Sequence, residues 1–122
     1  MAKKVLIIED NQRLIRIYGR IFEKYGYQII FAPDGNEGLA KMASDSPDVI
    51  LLDLMLPGKD GFSILEQKKN NSTLAKIPVV VLSNLGQEGD KTKAYDLGAN
   101  DYLVKSEASI NQIVDVVKKY LG

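Results

Sequence analysis

Short runs of apolar, mostly β-branched residues alternate along the chain with longer stretches in which apolar positions recur every three or four residues. The runs are Val5-Leu6-Ile7-Ile8, Ile29-Ile30-Phe31, Val49-Ile50-Leu51-Leu52, Val79-Val80-Val81-Leu82 and Tyr102-Leu103-Val104. Each is apolar throughout rather than at every second residue, which is the pattern of a strand covered on both faces, as in a parallel sheet. Between them, Leu14, Tyr18, Ile21, Phe22 and Tyr25 recur at helical spacing, and Gly26 follows as a stop. Gly38, Leu39 and Met42 predict a shorter helix that ends before Pro47. Phe62 and Leu65, with the lysines after them, predict a third, and Gln87 to Leu97 a fourth with Gly98 as its cap. Ile110, Ile113, Val114 and Val117 form the most clearly amphipathic helix, the fifth. Five strands alternating with five helices call for a three-layer α/β sandwich with right-handed crossovers. The fourth helix offers only Ala94, Tyr95 and Leu97 to a core. It is either a place built for movement or simply an exposed helix.

Composition narrows the chemistry. At 122 residues the chain fits one domain, 1–122, with no linker or repeat and no output domain, and it can bury roughly two-thirds of its unfolded surface. It has no Cys and no His. Disulfides, thiolate or imidazole metal sites, cysteine nucleophiles, Ser-His-Asp triads and phosphohistidine carriers are therefore excluded. Sixteen basic residues balance sixteen acidic ones, which argues against a dedicated nucleic-acid binder. The apolar run after Lys3-Lys4 stops at Glu9, too short for a signal peptide. No run approaches the roughly 18 apolar residues of a membrane span. The expected location is the cytoplasm, without membrane contact.

Ligands of a parallel α/β sheet bind outside the carboxyl ends of its strands, so the residues that end each run carry the functional reading. The first run ends in Glu9-Asp10, the third in Asp53, the fourth in Ser83-Asn84 and the fifth in Lys105. Three carboxylates brought together raise one another's pKa unless a cation sits among them. An all-oxygen donor set selects a hard cation, Mg²⁺ before Ca²⁺ or Mn²⁺. A metal, an ammonium and a hydroxyl are the usual stabilisers of charge on a transferring phosphoryl group. A carboxylate can itself be the nucleophile and form an acyl phosphate. Asp53, ending the central and most apolar run, is the best candidate, with Glu9 and Asp10 as metal holders. Taken singly, each residue has a plainer explanation: Asn11 as an N-cap, Asp53 as a loop acid, Ser83 as a cap, Lys105 as a surface charge. Their common position at one end of different strands is what makes the plain explanations fail together.

These same segments resemble the receiver domains of two-component response regulators. The resemblance rests on Val5 to Asn11, on Pro47 to Gly61 around Asp53, on Val81-Leu82-Ser83 and on Gly98 to Lys105, and it spans essentially the whole chain. It implies a (βα)5 flavodoxin-like sandwich whose five-stranded parallel sheet has the order 2-1-3-4-5. Asp53 would accept a phosphoryl group from a histidine kinase or histidine phosphotransfer protein. Asp10 and Asp53 would bind Mg²⁺ directly, Glu9 through water, and Met55 through its backbone carbonyl. Lys105 would pair with the phosphoryl oxygens or, before phosphorylation, with Asp53. Ser83 would move toward the phosphoryl and Tyr102 would follow it inward, reshaping the face made by the fourth helix, fifth strand and fifth helix. The alternative for Tyr102 is an ordinary half-buried strand tyrosine. That face would meet a downstream protein target or a fused output domain. A homodimer formed on phosphorylation would use it too, with Lys91, Lys93, Asp96 and Asp101 as cross-pairing or merely solvated charges. No turnover of an external substrate is expected.

Pro57-Gly58 reads as a turn without the family, Pro at its second position and Gly supplying a positive φ. The chain also departs from the receiver pattern. Ser106 stands where receivers commonly carry proline after the lysine, and a cis bond there would cost about 2.5–4 kcal/mol, so a trans bond is expected. Asn84 stands where a small residue is usual, placed to narrow access to the phosphoryl or to hydrogen-bond it. Met55 and Leu85 are both apolar and offer nothing to orient a water, which predicts slow autodephosphorylation. Three other readings compete. A haloacid-dehalogenase-type phosphatase needs a second Asp where Met55 stands. A flavodoxin-like binding module needs a Gly-rich phosphate cradle where Glu9-Asp10 stand. A degenerate receiver acting only through protein contacts ranks above both, although the intact Glu9, Asp10, Asp53, Ser83 and Lys105 weigh against it.

Overall fold

The computed structural model describes residues 2–122. Strands β1 (Lys4–Ile8), β2 (Gln28–Ala32), β3 (Val49–Leu52), β4 (Val79–Ser83) and β5 (Asp101–Val104) alternate with helices α1 (Gln12–Glu23), α2 (Gly35–Asp45), α3 (Gly61–Lys69), α4 (Glu88–Asp96) and α5 (Ile110–Lys119). All neighbouring strands pair in parallel, and the order across the sheet is β2-β1-β3-β4-β5. The sheet is thus the flavodoxin-like arrangement that the sequence predicts.

Alternation within each strand divides two cores. Leu6, Ile8, Ile50, Leu52, Val79 and Val81 face α2, α3 and α4, where Met42, Ile64, Leu65 and Ala94 meet them. The intervening Val5, Ile7, Val49, Leu51, Val80 and Leu82 face α1 and α5, meeting Tyr18, Phe22, Ile113, Val114 and Val117. Because both faces are covered, β1 after its first residue Lys4, β3 and β4 carry no polar residue until their carboxyl ends.

Several helix ends coincide with capping residues. The Asn11 side chain accepts from the N–H groups of Arg13 and Leu14, which starts α1. Ser109 and Gln112 form a reciprocal capping box on α5. Gly98 takes φ +99 after α4, and the N–H of Ala99 returns to the Ala94 carbonyl at 3.0 Å, as a glycine-capped helix end requires.

The expectations need local correction. Tyr25 lies beyond the end of α1 and is half exposed, because the chain turns at Gly26 before that position can face the sheet. Leu14 packs against the core as a partly buried side chain, and Ile15 beside it is buried as well. Ile110 opens α5 and is 45% exposed, since a first-turn position precedes the helix's approach to the sheet. A 3-10 turn at Leu74–Lys76 follows α3, and it covers Lys68, whose side chain is buried and reaches the Ala75 carbonyl at 3.4 Å.

Candidate functional site

The sheet reverses its winding between β1 and β3, and in open α/β sheets the ligand crevice lies at such a point, outside the carboxyl ends of the strands. The pairing of Ile8 with Leu52 brings the next residues of both strands, Glu9 and Asp53, to the same height. The N–H of Asp53 still donates to the Ile8 carbonyl at 3.1 Å, so the acid hangs from the last rung of the ladder rather than from a free loop. Glu9 and Asp53 are 3% and 6% exposed, while Asp10 is open to solvent. One carboxylate oxygen from each of the three lies within 4.8 Å of the others.

Lys105, carried just past the end of β5, closes this cluster. Its Nζ donates to Asp53 Oδ2 at 2.8 Å and to Glu9 Oε1. The N–H of Met55 donates to Asp53 Oδ1 at 3.0 Å, and the N–H of Asn11 to Glu9 Oε2 at 3.0 Å. Burial pushes the Glu9 carboxyl above its ordinary pKa, against the pull of the Lys105 hydrogen bond and the Asn11 N–H. For Lys105 burial acts downward, but hydrogen bonds to Asp53 and Glu9 outweigh it and the ammonium is held above its ordinary value. With all three acids ionised, the ammonium leaves a net charge of minus two. That deficit, together with an all-oxygen donor set, fits a divalent hard cation.

The loop after Asp53 is shaped by two glycines. Gly58 takes φ +71, the conformation that the Pro57-Gly58 turn requires. Gly61 packs so closely that a Cβ there would lie 2.5 Å from Leu54 Cα and 2.8 Å from the Asp53 carbonyl oxygen. The start of α3 can therefore press against the backbone that carries Asp53.

The three residues at the end of β4 each take a separate partner. Ser83 is fully buried, and its Oγ accepts from the N–H of Leu85 at 3.4 Å. The Asn84 Oδ1 accepts from the N–H of Ser106 at 3.1 Å, and the Leu85 carbonyl accepts from the Tyr102 hydroxyl. Burial first, then the charges of Asp90 and Asp53, push the Tyr102 phenol up to about 12. Tyr102 is thus anchored to the loop that follows Ser83, which its half-buried place in β5 alone did not predict. Asn84 is the residue that sequence reasoning placed least well: its acceptor is engaged with Ser106. The one available signal was that both departures from the receiver pattern follow a site residue directly. The Lys105–Ser106 bond is trans, as expected, since the described residues contain no cis peptide.

The chain matches the family model for the response regulator receiver domain over residues 5–118. It belongs to that family. It is 36% identical over 105 residues to response regulator PleD of Caulobacter vibrioides, covering 86% of this chain and 23% of that protein. The chain spans less than half the length of this and the other curated relatives it matches. Among solved structures, the phosphorylated cyanobacterial phytochrome response regulator RcpA superposes with a TM-score of 0.85 at 35% identity, over 100% of this chain and 96% of that one. The Mn²⁺-bound form of response regulator Rcp1 gives a TM-score of 0.84 at 31% identity, over 98% and 94% of the two chains.

On this receiver, three of the four charges read as cross-pairing groups on the α4–β5–α5 face have partners within the chain. Asp101 holds Lys119 at 3.1 Å and accepts from the Tyr120 hydroxyl. Lys91 lies 3.9 Å from Glu88, and the Lys93 ammonium sits 4.3 Å from the centre of the Phe62 ring. No helix of the described residues is long and apolar enough to cross a membrane.

Proposed function

We propose that this receiver accepts a phosphoryl group on Asp53 from a histidine kinase or histidine phosphotransfer protein, with Mg²⁺ as cofactor. The observation that carries the reading is the setting of the Asp53 carboxylate. It is buried at a strand end, oriented by the Met55 N–H and the Lys105 ammonium, and flanked by Glu9 and Asp10. An oxygen of Asp53 attacks phosphorus, and the new P–O bond forms as the P–N bond to the donor imidazole breaks. The Lys105 ammonium, already 2.8 Å from Asp53 Oδ2, balances charge on the incoming phosphoryl oxygens. Mg²⁺ would be held by Asp10 and Asp53, by Glu9 through water and by the Met55 carbonyl, and would supply charge neutralisation. The phosphorylated and Mn²⁺-bound states named for RcpA and Rcp1 support the same two ligand classes here.

Ser83 then donates to the phosphoryl, and the Tyr102–Leu85 hydrogen bond couples that movement to the α4–β5–α5 face. This face meets a downstream protein target or an output domain fused to the single receiver domain at 1–122, or a second phosphorylated copy. The protein works in the cytoplasm, turns over no external substrate and touches no nucleic acid directly. The apolar side chains at Met55 and Leu85 orient no water, so the aspartyl phosphate persists for minutes or longer; a lifetime of seconds counts against this point. Intact mass after incubation with acetyl phosphate tests the whole reading. One phosphoryl adduct is expected that requires both Mg²⁺ and Asp53, lost with EDTA or in Asp53→Asn. No adduct on a protein shown to bind Mg²⁺ would sink it in favour of a receiver acting only through protein contacts.

A further inference from the structure

We infer that Asn84 is a positioning residue for Lys105, acting through the backbone N–H of Ser106; this rests on the phosphoryl-acceptor reading above. The turn that carries Lys105 accounts for its N–H groups completely. Lys105 donates to the Ser83 carbonyl at 2.9 Å, and Glu107 and Ala108 both donate to the Val104 carbonyl at 3.0 and 2.9 Å. Only the Ser106 N–H has no backbone acceptor, and the Asn84 side chain takes it at 3.1 Å. The β4–β5 ladder is thereby extended one rung past the strand ends by a side chain.

The position of that rung matters more than its strength. It lies one residue beyond Ser83 on one strand and one beyond Lys105 on the other, so it fixes the separation of the two loops whose side chains meet the phosphoryl. Proline at 106 would have no N–H to offer, and a small residue at 84 would have no oxygen to receive it. The two departures from the receiver pattern are thus the two halves of one contact. Both residues are exposed, so water can replace either partner when the contact is broken. The contact therefore acts on geometry and leaves global stability nearly unchanged.

The test compares wild type with Asn84→Leu, which keeps the bulk and removes the acceptor, and Asn84→Asp, which keeps an acceptor oxygen. Exchange of the Ser106 amide is followed by NMR, and adduct formation with acetyl phosphate and Mg²⁺ by intact mass. Asn84→Leu should lose protection of the Ser106 amide and phosphorylate about fivefold more slowly, with an unchanged melting temperature. That deficit should persist at high salt, because it comes from geometry. Asn84→Asp should keep the amide protected, and any slowing caused by its added charge should fade as salt screens it. An Asn84→Leu rate equal to wild type overturns the inference, as does a Ser106 amide that stays protected in that variant. A faster rate also overturns it and assigns Asn84 to narrowing the entrance. No adduct on wild type would instead remove the phosphoryl-acceptor reading, and the inference with it.

Discussion

Replacing Lys105 with methionine would strip the acidic cluster of the one ammonium that contacts it among the described residues. In the native chain that ammonium contacts both Glu9 and Asp53, and all three side chains are at least 87% shielded from solvent. Removing one partner of a buried ion pair costs about 3–5 kcal/mol, because the remaining charges stay buried without compensation. Here the crevice is open on the side of Asp10, and water can reach the vacated position. A loss of about 2–3 kcal/mol is therefore expected. For a domain of this length roughly 4 °C of melting temperature corresponds to each kcal/mol, so Lys105→Met should melt about 10 °C below wild type in EDTA. Mg²⁺ should then restore stability more fully in the variant than in wild type, because the cluster it enters is one charge more negative. At free Mg²⁺ one hundred times its Kd the gain is about 2.7 kcal/mol, enough to cancel the deficit. Thermal melts followed by circular dichroism, with EDTA and with Mg²⁺, measure both effects. Equal melting temperatures in EDTA would refute the claim that Lys105 neutralises the cluster. A variant less responsive to Mg²⁺ than wild type would refute the charge accounting.

Three further outcomes follow from packing. Gly61→Ala places a Cβ 2.5 Å from the Leu54 backbone, so the start of α3 must move away from Asp53; a loss of about 2 kcal/mol in urea unfolding and slower phosphorylation are expected, and wild-type values for both would contradict the close-approach reading. Among the described residues no counter-charge contacts the buried Lys68, and burial holds its pKa below the ordinary 10.5. Folding therefore penalises its charged form, and that penalty is present at neutral pH and disappears as pH rises through 10.5. Lys68→Met should gain about 1 kcal/mol at pH 7, a gain that shrinks in melts at alkaline pH; a gain that grew with pH would reverse the sign. Asn11→Ala removes the acceptor for the Arg13 and Leu14 N–H groups and should lose about 1 kcal/mol in urea unfolding; a loss below about 0.3 kcal/mol would mean water caps α1 equally well.

The strands were the most legible part of the fold. β1, β3 and β4 are buried on both faces, so continuous apolar runs marked them, and the acids that end those runs marked the crevice. Helix faces were less legible where spacing alone had to choose between neighbours. Leu14 and Ile15 both suit a helical stripe, and spacing alone did not show that Leu14 would be only partly buried against the core with Ile15 buried beside it. Tyr25 fits the same stripe but falls after the helix has ended. The 3-10 turn that buries Lys68 left no periodic signal, because three residues are too few to show a period. In the crevice, Glu9, Asp53 and Lys105 were readable as strand-end residues that the fold must gather. The Asn84–Ser106 and Tyr102–Leu85 contacts were not. Each joins a side chain to the backbone of a neighbouring strand end, and no local pattern encodes which rung of a parallel ladder a loop residue will reach.

Helix α4 commits a single residue, Ala94, to the buried core; the other eight are half-buried or exposed. A lineage that duplicates this gene can therefore rewrite most of one outward face without touching the residues that fold the chain or gather its acids. The freedom is local, since α3 and β4 have no comparable slack. Paralogues descending from this chain would be expected to diverge fastest on α4, keeping one chemistry while ceasing to answer one another's partners.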